Sequence, residues 1–177
     1  MSMEKNDKTK AEKRFIIKTT ESLASKNEEE VLSKLNELMS TGKVSILPFI
    51  LDLLDQSSSD KVKREVILFM SNLKNQKCAP VIIDYILKNK SKEYIYQVIS
   101  SCWQSRLDYS KHLKAFVSCF IAGDYQIALE SFTVIEEMLW RSEQTEISEC
   151  RKTLISNLSK IDTRKKLLYD ELINVLS

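Results

Sequence analysis

Apolar residues along the chain recur at three- and four-residue spacing, and polar clusters interrupt them at intervals of about 32 residues. Helix-start signals mark the interruptions at Asn27, Asp60, Ser91 and Asp124. A period of that length predicts helix pairs stacked side by side, each burying the apolar face of its neighbour. A first helix is expected from about Ala11 to Ser25, with Phe15, Ile16 and Leu23 on one face, after a flexible charged start at residues 1–10.

The first pair opens at Asn27, where Glu30 three positions on completes a capping-box pattern. Val31, Leu35, Leu38 and Met39 form its first stripe, and Gly42 supplies a helix stop. The second helix, Ile46 to Leu54, is apolar nearly all round and should be buried.

The second pair carries Val62, Val66, Phe69, Met70 and Leu73, then Val81 to Leu87 after Pro80. Pro48 and Pro80 both fall early in a second helix, where a missing amide costs little. Asp52 and Asp84 share the next offset. The third pair runs through Ile95, Val98, Ile99, Cys102 and Trp103 and returns through Leu113, Phe116, Val117 and Phe120, with His112 in the proline slot. The fourth carries Ala128, Phe132, Ile135, Met138 and Leu139, then Ile147, Cys150, Leu154 and Leu158. Asp162 should cap a closing helix with Leu167, Leu168, Leu172 and Leu176 inward and Arg164, Lys165 and Lys166 on its polar side.

Composition supports the helical reading. Only two glycines and two prolines occur in 177 residues, too few for the tight turns of a sandwich or barrel. The length suits a single domain over residues 11–177. No apolar run reaches the roughly 18–20 residues of a membrane span, and the polar start lacks the apolar core of a signal peptide, so a cytoplasmic location is expected. The four cysteines follow neither a zinc spacing nor a disulfide framework and fit apolar stripes as reduced thiols.

The net charge of +2 is small, but charge comes in blocks. Residues 27–60 hold two basic against seven acidic side chains, residues 61–92 eight against two, and residues 124–150 one against seven. Such blocks serve either as solvated faces that attract neighbouring pairs or as a patterned surface that selects a charged partner.

The order of apolar first helix, polar turn, early proline and very apolar second helix resembles HEAT repeats, most clearly from Val62 to Leu87. The resemblance spans about residues 27–160, with units shorter than the ~40–47 residues usual for that family. It implies an all-α fold: a right-handed α-α superhelix of about four pairs with capping helices at both ends. Gly123, Asp124, Tyr125, Ala128 and Phe132 are locally similar to a tetratricopeptide repeat, whose ~34-residue period also fits. Both families imply a surface that binds other macromolecules.

Catalytic chemistry has few footholds. The single histidine, His112, excludes any two-histidine metal site, and Asp108 four residues before it is expected to cap a helix. Glu136 and Glu137 are adjacent and point about 100° apart on a helix. No phosphate-binding glycine loop or nucleophile elbow occurs. Superhelical proteins also include DNA-base glycosylases, which the chain resembles in fold type, and Trp103, Asp108, Trp140 and Arg141 are the candidates for that alternative. The acidic fourth pair argues against it, because it repels phosphate.

The sequence therefore predicts a non-enzymatic scaffold for another protein, without cofactor or metal, and a nucleic-acid-associated protein as the alternative. If the second helices line the concave side, as the resemblance implies, Asp52, Asp84 and Lys88 face the partner. Lys61, Lys63 and Arg64 form the basic cluster that would meet an acidic patch; no aromatic side chains interleave with them as a base-stacking platform requires.

Overall fold

A computed structural model of the chain describes residues 2–39, 43–90 and 92–177. Among these residues there are ten α helices and no strand. The helices are α1 (Ser2–Leu23), α2 (Glu28–Met39), α3 (Leu47–Gln56), α4 (Asp60–Ser71), α5 (Cys78–Lys88), α6 (Ile95–Ser105), α7 (Leu113–Ala122), α8 (Tyr125–Met138), α9 (Gln144–Ser156) and α10 (Lys166–Val175). They group into two compact units, residues 1–75 and 76–177, so the division falls in the turn between α4 and α5. Helix α1 starts at Ser2 rather than Ala11. The expected stop at Gly42 and start at Ser91 lie outside the described residues.

Side-chain caps mark the starts of α2, α4 and α8. The Asn27 carboxamide accepts from the Glu29 amide at 3.0 Å. Glu30 does not reach back to the Asn27 amide as the capping box requires: the Ser25 hydroxyl takes that amide and donates to Glu30 at 2.6 Å. Helix α4 is capped one residue before the expected Asp60, by Ser59, whose hydroxyl accepts from the Val62 amide. Asp124 caps α8 through the Ile127 amide at 2.9 Å, as its residue type and position predict. Pro48 sits in the first turn of α3 and Pro80 is the third residue of α5.

In the first unit α1 packs on α2 and α3, and α4 packs on both α2 and α3. Leu35, Leu38, Ile50, Leu51, Leu54 and Val66 are fully enclosed there. Phe15 is half-buried, and the Lys43 ammonium lies 3.6 Å from its ring centre. The Ser59 hydroxyl bonds the Glu28 carboxylate, joining the starts of α4 and α2.

In the second unit α8 packs on α6, α7 and α10, and α7 packs on α5 and α9. Helices α6, α8 and α10 thus form one row and α5, α7 and α9 another. Ile95, Val98, Cys102, Phe116, Phe120 and Val134 fill the space between the rows. Gly123 permits the tight turn from α7 to α8: a Cβ there would lie 2.3 Å from Ile127 Cγ2 and 2.9 Å from the Cys119 carbonyl oxygen.

The closing helix keeps Leu172 and Leu176 inward as expected and departs from the expectation at its start. Leu167 is 86% exposed, and the inward stripe is Lys165, Tyr169, Leu172 and Leu176. Lys165, expected on the polar side, is only 3% exposed, and its ammonium donates to the carbonyls of Phe120, Ile121 and Gly123. The last turn of α7 leaves those carbonyls without helical partners, and the lysine supplies donors. Leu158, expected inward, is also largely exposed.

Candidate functional site

The second unit holds a groove of about 570 Å³ lined by Trp103, Gln104, Arg106, Glu137, Met138, Trp140 and Arg141. It forms where the carboxy-terminal ends of α6 and α8 lie side by side. Helix α6 has Ile95, Val98, Ile99 and Cys102 inward, so Trp103 falls at the edge of its buried stripe and is 37% exposed. Its indole Nε1 donates to the Glu130 carboxylate on α8 at 2.9 Å, which pins the ring across the two helices. Trp140, the other tryptophan of the groove, is 74% exposed.

Trp140 belongs to a 3-10 turn, Leu139–Arg141, that follows α8. The turn is tied down from its far end: the Ser142 hydroxyl bonds the Met138 carbonyl at 2.9 Å and the Ser110 carbonyl at 3.3 Å. Tyr109 adds a second tie, its amide donating to the Met138 sulfur at 3.3 Å. The Arg141 guanidinium lies 4.2 Å from the centre of the Trp140 ring, within cation–π range.

Arg106 forms the other wall. It ends α6 in the left-handed region, at φ 60° and ψ 20°, and is the only non-glycine residue with positive φ among the described residues. The loop after it is held by side-chain hydrogen bonds. Gln76 clamps Asp108 from both sides, its carboxamide accepting from the Asp108 amide at 2.8 Å and donating to the Asp108 carbonyl at 2.5 Å. The Asp108 carboxylate accepts from the Ser110 amide at 2.9 Å and closes an Asx turn instead of capping the helix as expected, while His112 is half-buried in the turn beyond. That hydrogen bond holds the Asp108 carboxyl below its ordinary pKa, and the positive charges of Arg141 and Lys111 add to it.

The residues predicted as a partner surface are elsewhere. Asp52, Lys61, Lys63 and Arg64 belong to the first unit and Asp84 and Lys88 to the second, and none lines the groove. All are exposed except Lys63, which is half-buried. Asp84 and Lys88 share one face of α5 at i, i+4 spacing. Arg106, Gln104, Glu130 and Glu137 were not singled out as groove residues by the sequence, which marks Trp103, Trp140 and Arg141 only within the nucleic-acid alternative.

The four cysteines are free and buried. Burial pushes the Cys102 thiol up to about 12 and those of Cys119 and Cys150 to about 11, so these sulfurs stay protonated and unreactive. Among the described residues no group of three His, Cys, Asp or Glu side chains could hold a metal ion, and no helix is long and apolar enough to cross a membrane. No protein-family model, curated protein or solved structure matches the chain.

Proposed function

We propose that the chain is a non-enzymatic adaptor of the cytoplasm whose helix pairs form a HEAT-like right-handed superhelix, and that it binds a partner protein in the Trp103–Trp140 groove. The repeat reading draws support from hydrogen bonds that join positions one period apart. Gln76 bonds Asp108 across 32 residues, Ser142 bonds Ser110 across 32, and Ser59 bonds Glu28 across 31. Equivalent turns of successive pairs therefore touch within each unit, as stacked repeats require.

The observation that carries the binding reading is the company of the two tryptophans. Both tryptophans of the chain line one groove, beside two arginines. Exposed tryptophan is costly to leave in water and is, with arginine, the residue type most enriched at the energetic centres of protein interfaces. The ties from Ser142, Tyr109 and Gln76 hold the groove's walls before any partner arrives, which lowers the ordering cost of binding.

The test is affinity capture from the native cell with the wild-type chain and the Trp140→Ala variant, with the captured proteins identified by mass spectrometry. Trp140 is exposed, so the variant should keep the wild-type melting temperature and lose the partner. A partner retained equally by the folded variant overturns the reading.

A further inference from the structure

We propose that the groove takes an arginine-bearing basic peptide segment of its partner, and that Arg141 occupies the partner's place on Trp140 in the free protein. The inference rests on the groove being a protein-binding site. Trp140 already carries a guanidinium 4.2 Å from its ring centre, so the stacking geometry for such a group is built. The lining itself carries Arg106 and Arg141 against Glu137, but the segment that surrounds it is anionic. Residues 124–150 hold seven acidic side chains and one basic one, and that one is Arg141. Glu137 lines the groove, Glu130 is fixed against Trp103, and Glu136 and Glu143 are exposed on either side of the turn. Aromatic faces beside carboxylates are the chemistry that receives a planar, weakly hydrated guanidinium, with stacking on one side and charge-assisted hydrogen bonds at the edge. An incoming arginine would stack on Trp140 in place of Arg141 and pair with Glu137. An internal cation that competes with the ligand gives an unusual sign: removing it should tighten binding.

Because the chain has no other tryptophan, indole N–H signals in ¹H–¹⁵N spectra report on the groove alone. The probes are the peptide acetyl-Gly-Arg-Gly-Arg-Gly-amide, its citrulline and glutamate counterparts, and an octathymidylate. The arginine peptide should move both indole signals, the uncharged citrulline peptide should bind at least several-fold more weakly, Arg141→Ala should tighten the arginine peptide about two- to five-fold, and Glu137→Gln should loosen it. Dispersed indole signals in each variant confirm that it is folded. Preference for the glutamate peptide, or movement by the octathymidylate that weakens in Arg141→Ala, overturns the inference in favour of an anion site. If no peptide moves the indoles while Trp140→Ala still abolishes partner capture, the arginine inference fails alone. If Trp140→Ala leaves capture intact, the adaptor reading fails with it.

Discussion

The ammonium of Lys165 donates to the carbonyl oxygen of Gly123 at 2.7 Å, across 42 residues of sequence. It also reaches the Phe120 and Ile121 carbonyls at 2.9 and 3.0 Å, so all three donors of the lysine are used at the end of α7. A cation at a helix carboxy terminus also complements the helix dipole. Burial pulls the Lys165 pKa down by stripping its hydration, and Asp162 and Asp124 oppose the shift.

Replacing Lys165 with methionine keeps the stem and removes the donors. Three carbonyls then lose their partner, and hydrogen bonds to a charged group contribute about 1.5–3 kcal/mol. Lys165→Met should lower stability by at least that amount in urea unfolding and raise hydrogen exchange in α10. A variant as stable as the wild type would mean that water replaces the lysine without loss.

The Tyr109 hydroxyl gives a prediction of opposite sign. Tyr109 is fully enclosed, its ring packs edge-on against Phe116 at 5.8 Å, and its hydroxyl lies near Cys102 and Ser105 without a well-formed hydrogen bond to either. Burial pushes its pKa far up, with the thiol of Cys102 nearby adding to the shift. Tyr109→Phe removes an unsatisfied buried polar atom and preserves the ring, so stability should rise by up to about 1–3 kcal/mol. A fall measured by denaturant titration would show that the hydroxyl is bonded in solution.

These two residues also mark how far the sequence could be read. Helix existence and the inward stripes of α2, α4, α6 and α8 follow from spacing, and Asp124 caps its helix because capping is local. Lys165 defeats that reasoning. A lysine sorts to the polar face by type, and only the position of α7's carbonyls, set by tertiary packing, brings it inside. The same packing leaves Leu167 in water. The groove was half legible: two tryptophans at the edges of stripes are an ambiguous signal, since an edge position turns inward or outward with a small rotation of its helix. The strained Arg106 carries no sequence mark, because arginine gives no sign of left-handed backbone.

Asp162 predicts an acid dependence. Its carboxyl is lowered from 3.8 to about 2, first by the hydrogen bond from the Arg164 side chain and then by the Arg164 amide. A depressed folded pKa means that the charged form favours folding. The contribution is complete above the unfolded value, near 4, and is lost as pH falls toward 2. The stability difference between wild type and Asp162→Asn should therefore be visible at pH 7 and close by pH 2, in melting temperatures measured across that range. A difference independent of pH would assign the effect to the cap's shape rather than its charge.

Arg106 joins strain to the proposed site. Left-handed backbone costs a residue with a Cβ about 1–2 kcal/mol, and glycine relieves it at an entropic cost of about 0.5–1 kcal/mol. Arg106→Gly should therefore stabilise the fold by roughly 0.5–1 kcal/mol, read as a higher denaturation midpoint. The same change removes a cation from the groove wall, so affinity for the arginine peptide should rise along with stability. The two readouts separate the possible roles of the side chain. Higher stability with weaker peptide binding would make Arg106 a direct contact that tolerates strain to reach the ligand, as functional residues in rare backbone conformations do. Lower stability would show that the guanidinium holds the end of α6 by contacts that outweigh the strain.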